Sequence, residues 1–328
     1  MRLPHVRGVV SAGAIVMALL VPIAAQRSGS DREVPPIGRL IDIGGRRLHQ
    51  ICSGTGSPVV AIENGAGSFS VEWDRVQMEV AKFTEVCSYD RAGYAWSDRG
   101  PAQDTIEQTM DDLHLLLGKT VRAPYVLVGA SLGAIYTRAY QRRFPVDVAG
   151  MVFVDGTHDE AITFMSRGRR SPISVLSAEE LQAAYAQYEN DAPRPSAGRP
   201  DQPPLDRLPL ELQRARYWAF EKLVNDVGLL PKGAAAAESW RQEFTALRRQ
   251  RLSEPHPLGG LPLVALERGE DTDSTWHAQQ IALAGLSAAG RLITVANSGH
   301  MIHLSRPDAV ADAIQAIVRA ARQRQRKR

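Results

Sequence analysis

The pentapeptide Gly129-Ala130-Ser131-Leu132-Gly133 sets a serine between two glycines, and a histidine stands far downstream in Asn297-Ser298-Gly299-His300-Met301. A serine hydroxyl attacks a carbonyl only when a base takes its proton, and imidazole suits that task near neutral pH. Such a base needs a carboxylate to hold its tautomer, and the oxyanion that forms needs hydrogen-bond donors. The chemistry these residue types could perform together is acyl transfer from an ester or a related acyl compound. A lone Gly-x-Ser-x-Gly is also compatible with a plain tight turn, so its surroundings decide its meaning.

Those surroundings read as strand, turn, helix. Tyr125 to Val128 is an apolar, β-branched run of the kind found in buried parallel strands, and a helical pattern covers Ala134 to Phe144. A sharp turn between them exposes the Ser131 hydroxyl above the sheet. It also aims the N–H of Leu132 at the same spot. Strands are expected at Arg39–Ile43, Arg46–Cys52, Pro58–Glu63, Glu85–Tyr89, Val148–Val154, Leu261–Leu266 and Arg291–Ala296. Gly44-Gly45 joins the first two as a hairpin. Helices are expected between the later strands, beginning with Trp73–Phe83. The second has Thr105 and Gln108 in capping-box spacing and an apolar stripe of Ile106, Met110, Leu113 and Leu117. Alternation of this kind predicts right-handed βαβ units and a parallel α/β sheet.

The alternation stops near Gly156 and resumes near Gly260. Residues 157–258 read as helices and Pro-rich loops, with a second capping box at Ser177 and Glu180. The expected organisation is an N-terminal segment 1–25, a linker 26–37, a core in two parts (38–156 and 259–320), a helical cap inserted at 157–258, and a basic tail 321–328. Tyr217, Trp218, Phe220, Trp240 and Phe244 of the cap could wall an apolar substrate site or fill the cap's own core.

Open α/β sheets gather functional groups at the carboxyl ends of their strands. His300 follows the last strand and is the expected base. His303 lies in the turn to the last helix, His277 in a helix, and His158 and His256 at the cap boundaries. Two strand ends offer an acid: Asp155, which is favoured, and Asp271 or Asp273 in Glu267-Arg268-Gly269-Glu270-Asp271-Thr272-Asp273. The oxyanion donors are expected to be the N–H groups of Leu132 and of Ala66, the latter in the loop Asn64-Gly65-Ala66-Gly67-Ser68.

Composition narrows the function classes. Of 39 bases, eight sit in the terminal segments: Arg2 and Arg7, and Arg319, Arg322, Arg324, Arg326, Lys327 and Arg328. Set against 36 acids, the remaining body is mildly acidic, which argues against nucleic acid as a partner. No cluster of His, Cys and carboxylates has metal-site spacing, so no metal or organic cofactor is implied. Arg2, Arg7 and the apolar run Val9–Ala25 form an export signal or an N-terminal membrane anchor; either puts the body outside the cytoplasm. An oxidising compartment permits Cys52 and Cys87 to pair or to stay as buried thiols.

The elbow at Gly129–Gly133, the Ser298–His300 segment and Tyr89-Asp90-Arg91-Ala92-Gly93-Tyr94-Ala95-Trp96-Ser97-Asp98 together resemble the α/β-hydrolase fold family. The last stretch is similar to that family's D-R-x-G-x-G-x-S turn, with Ala95 where a second glycine is usual. The resemblance covers roughly residues 38–160 and 258–320. It implies an eight-stranded, mostly parallel sheet and a chain order of Ser, Asp, His. Family members place the acid after either strand, so the choice between Asp155 and Asp271 stays open. Many carry His-Gly at the oxyanion loop, where this chain has Asn64-Gly65. The family's sheet order also implies that the strands bearing Cys52 and Cys87 are neighbours, which would allow a disulfide. On this resemblance the expected activity is that of a serine esterase on a small acyl substrate. The same triad could serve amide or peptide hydrolysis or perhalide chemistry, and the same fold could serve as a silent ligand-binding protein. Dehalogenase and epoxide-hydrolase relatives carry an aspartate where this chain has Ser131.

Overall fold

A computed structural model of the chain describes residues 34–100, 105–191, 196–226 and 234–326. The expected export or anchor segment 1–25 and most of the linker lie outside the described residues. No helix among the described residues is long and apolar enough to cross a membrane.

The elements run β1 (Arg39–Asp42), β2 (Arg47–Ser53), β3 (Val59–Glu63), α1 (Asp74–Val80), β4 (Val86–Tyr89), α2 (Ile106–Thr120), β5 (Tyr125–Ala130), α3 (Gly133–Arg143) and β6 (Val148–Val154). Then come β7 (Thr163–Ser166), β8 (Arg169–Pro172), α4 (Ala178–Asp191), α5 (Leu210–Asp226) and α6 (Ala234–Ser253). The chain returns to the sheet with β9 (Leu263–Arg268), α7 (Ser274–Ala284), β10 (Gly290–Val295), α8 (Ile302–Ser305) and α9 (Pro307–Gln325).

Eight strands form one sheet in the order β1-β2-β4-β3-β5-β6-β9-β10. Only β2 pairs antiparallel, with β1 and with β4; the other pairs are parallel. Successive side chains of a strand face opposite ways. Val59, Ala61, Leu127, Met151, Phe153, Leu263 and Ala265 therefore enter the core shared with α2, α3 and α7. Their neighbours Val60, Ile62, Val126, Val128, Val152, Val154, Val264 and Leu266 pack against α1 and α9 on the other face. Burial on both faces explains why these strands read as continuous apolar runs.

Start signals mostly act as spaced. Thr105 accepts a hydrogen bond from the Gln108 N–H, although the Gln108 side chain turns to Asp112. Ser177 and Glu180 form both bonds of a capping box. Gly44 and Gly45 both have positive φ, 106° and 86°, as a tight hairpin turn requires.

One expectation needs correction and two open ones are resolved. The insertion is not purely helical: it begins with the antiparallel hairpin β7–β8, whose exposed arginines and short strands hid its period. Of the two roles open to the cap aromatics, Phe220, Trp240 and Phe244 take the buried, packing one, while Tyr217 is exposed. The basic stretch from 321 stays helical as far as Gln325. It is the last turns of α9, where the Arg322 guanidinium donates to the carbonyls of Ser57 (2.8 Å) and Phe83 (2.9 Å).

Candidate active site

β5 ends at Ala130 and α3 starts at Gly133, so the intervening turn must reverse within two residues. Ser131 takes φ = 49°, a strained value for a residue with a side chain. The flanking glycines make that turn sterically feasible. A Cβ at Gly129 would lie 2.5 Å from the Gly133 carbonyl oxygen, and one at Gly133 would lie 2.3 Å from the Glu63 carbonyl oxygen. The Ser131 N–H donates to Val154 O, and its own carbonyl accepts from Thr157 N–H, which ties the elbow to the end of β6.

His300 comes from the loop after β10. Its Nε2 lies 3.0 Å from Ser131 Oγ, and its Nδ1 lies 2.6 Å from Asp155 Oδ2. An ionised carboxylate only accepts, so Nδ1 carries the proton and Nε2 is left to accept from the serine hydroxyl. Asp155 is fully buried, whereas the His300 side chain is 37% exposed, so the array is accessible at its histidine end.

The second strand end is built differently. Asp271 is exposed with φ = 55°, and Asp273 caps α7 by accepting from the Trp276 N–H at 2.7 Å. Neither bonds to His300. The geometry thus separates the two candidate acids: Asp155 meets the imidazole and Asp271 does not. The other histidines are occupied elsewhere. His303 is buried, stacks on Trp73 at 4.5 Å and approaches Glu72. His277 pairs with Glu267, and His256 with the Gly285 carbonyl. His158 is buried; its Nδ1 accepts from Glu160 N–H.

The loop after β3 lies directly over the elbow. A Cβ at Gly65 would come within 3.1 Å of Ser131 Cβ, a tight approach of this loop to the elbow, and Ala66 beside it is exposed. Asn64, which stands where histidine is common, is buried and structural. Its amide donates to Tyr89 O and accepts from Trp73 Nε1, both at 2.7 Å. Beneath it Arg91 donates to Glu63 Oε1 (2.6 Å), Gly65 O (3.3 Å) and Asn64 O. Tyr136 lies under its guanidinium at 4.4 Å. Burial would discharge Arg91, but Glu63 and the facing tyrosines outweigh it and hold its pKa well above the ordinary arginine value. Sequence reasoning passed over this clamp. Its signal was the Asp-Arg of the turn after β4, the strand that pairs directly with β3.

Residues 59–313 match the family described as "Alpha/beta hydrolase family". The chain belongs to that family. The Hormonema carpetanum protein named "Probable transporter efuK" is 25% identical over 304 residues, covering 85% of this chain and 42% of that protein. The chain thus spans less than half the length of that relative. Protein YqjL of Bacillus subtilis is 24% identical, covering 80% of this chain and 83% of its own. Among solved structures, a thermophilic esterase from Thermogutta terrifontis superposes with a TM-score of 0.58 at 20% identity, covering 86% and 97% of the two chains. Epoxide hydrolase CorEH gives 0.60 at 15% identity, covering 86% and 98%. At such identities the likeness concerns the fold. Among the described residues, Cys52, Glu85 and Cys87 are grouped closely enough to hold a metal, but the two cysteines form a disulfide and offer no thiolate.

Proposed function

We propose that this member of the family is a serine hydrolase that cleaves a carboxylic ester or a related acyl substrate through an acyl-enzyme. The observation that carries the reading is the linear array Ser131 Oγ–His300 Nε2–His300 Nδ1–Asp155 Oδ2, at 3.0 and 2.6 Å, with the serine on a strained turn. In the first half-reaction Ser131 attacks the acyl carbon as its proton passes to Nε2, and the imidazolium returns that proton to the leaving alcohol. In the second, water attacks the acyl-serine with the same base, and Ser131 is regenerated. Asp155 keeps the proton on Nδ1 and stabilises the imidazolium. The N–H groups of Leu132 and Ala66 receive the developing oxyanion, and the tight contact between Gly65 and Ser131 supports that assignment.

A serine at the elbow separates this chain from relatives that attack through an aspartate there. The substrate is a small acyl compound admitted beneath the cap. The reading includes export, on the strength of the N-terminal sequence, and the Cys52–Cys87 bridge agrees with an oxidising compartment. A panel of p-nitrophenyl esters of graded acyl length tests the activity. The account expects turnover of at least one ester and loss of it in Ser131→Ala; equal turnover by both proteins contradicts it.

A further inference from the structure

Resting on the hydrolase reading above, we propose that Arg268 and Trp276 are positioning residues that lock the carboxylate of Asp155 in the plane of His300. Both oxygens of this buried carboxylate carry two donors. Oδ1 accepts from Trp276 Nε1 at 2.9 Å and from the Arg268 backbone N–H at 3.1 Å. Oδ2 accepts from His300 Nδ1 at 2.6 Å and from Arg268 Nη1 at 3.2 Å.

A carboxylate held by one imidazole alone can turn about its last side-chain bond. Three further donors on two sides define its plane, so the oxygen facing Nδ1 cannot drift. The two donor side chains are themselves braced. The Arg268 guanidinium lies 4.5 Å from the Trp276 ring centre, and that ring meets His300 edge to face at 6.1 Å. Asp273 fixes the start of α7, and with it the place of Trp276. Register brings these groups together. Val154 pairs with Leu266, so the residue after β6 falls beside the last residues of β9. The strand end that could have supplied the acid supplies its clamp instead.

The role makes a distinctive demand: removing a donor should slow proton transfer without weakening ligand binding, and only while the carboxylate is present. The test is the rate of Ser131 labelling by a fluorophosphonate, separated into its maximal rate and its half-saturating concentration and normalised to sites finally labelled. That normalisation keeps misfolded molecules out of the rate. Trp276→Phe keeps an aromatic ring but removes the pyrrole part of the indole with its N–H. Losing a hydrogen bond to a charged group slows the maximal rate by about tenfold. Arg268→Gln behaves alike, and Arg268→Lys recovers most of the rate. The half-saturating concentration stays put. In an Asp155→Asn background, Trp276→Phe adds less than about twofold, because the group it acts through is gone. Unchanged rates in both Trp276→Phe and Arg268→Gln overturn the proposal. So does a loss that persists undiminished without Asp155.

A second readout needs no reaction. The low-field proton resonance of the Nδ1–H to Asp155 bond should be resolved in the wild type and broadened in both variants; an unaltered resonance in both overturns the proposal. Failure of wild-type labelling would instead strike the hydrolase reading, so the two failures are distinguishable.

Discussion

Arg216 Nε lies 2.9 Å from Glu72 Oε1 and joins cap helix α5 to the short turn of helix at Ser70–Trp73, which follows the loop lying over Ser131. Burial pushes the Glu72 carboxyl up, but Arg216, His303 and Ser68 outweigh it, and its pKa falls below the ordinary glutamate value of 4.5. The carboxylate is fully buried, so removing its guanidinium partner leaves the charge with only His303 and Ser68 to compensate it. Arg216→Met is expected to lower unfolding free energy by roughly 3–5 kcal/mol, measured by urea titration at pH 7. A loss within experimental error of zero would show that the pair does not hold the cap.

The sign of that shift fixes its pH dependence. A folded value below the unfolded one means the stabilisation is complete above pH 4.5 and drains away as pH falls through the folded value. Glu72→Gln should therefore show a shallower loss of stability as pH falls below about 5 than the wild type, with fewer protons taken up on unfolding.

His158 acts in a neighbouring window. Burial lowers its pKa from 6.5 to about 4, with Asp159 opposing and Arg251 and Arg138 assisting. The folded protein then binds fewer protons than the unfolded chain between those values. Stability is complete above pH 6.5 and is lost as pH falls towards 4. His158→Gln should remove about 2 kcal/mol of the difference in unfolding free energy between pH 7 and pH 5. An identical pH dependence in the variant would show that the ring does not titrate on unfolding.

Arg91 donates to three acceptors at the base of the loop after β3, among them the carbonyls of Asn64 and Gly65. Lysine keeps the charge but lacks the planar fork. Arg91→Lys is expected to lower ester turnover by on the order of tenfold to a hundredfold, because the loop donor loses its fixed place. Unaltered kcat would free the loop from dependence on this guanidinium.

Cys52 and Cys87 face each other across β2 and β4 and form a disulfide spanning 35 residues. The paired variant Cys52→Ser/Cys87→Ser should lose about 2–4 kcal/mol in urea unfolding under non-reducing conditions. A reductant should produce the same loss in the wild type and none in the variant.

Much of this architecture was legible because the chain's periods are unambiguous. β3, β5, β6 and β9 are buried on both faces and read as unbroken apolar runs, and Ser131 sits where such a run meets a helix. His300 was legible by its place after the last strand. Asp155 is favoured over Asp271 by the sequence but not fixed by it, because both follow a strand and only the packing of Trp276 and Arg268 shows which carboxylate faces inward. The β7–β8 hairpin escaped for a related reason. Arg169, Arg170 and Ser171 lie on a small, half-exposed ribbon with no apolar alternation to betray it. The Arg91 clamp depends on contacts between residues 26 to 28 positions apart, which no local spacing encodes.

The central claim is that Ser131 is the activated nucleophile of the Ser131–His300–Asp155 array. Mass-spectrometric mapping of the folded protein after fluorophosphonate treatment tests it most directly. The account predicts one adduct per molecule, on Ser131, absent in Ser131→Ala and slowed by on the order of a thousandfold in His300→Ala. A folded wild-type protein that carries no adduct, or carries it on another residue, contradicts the account.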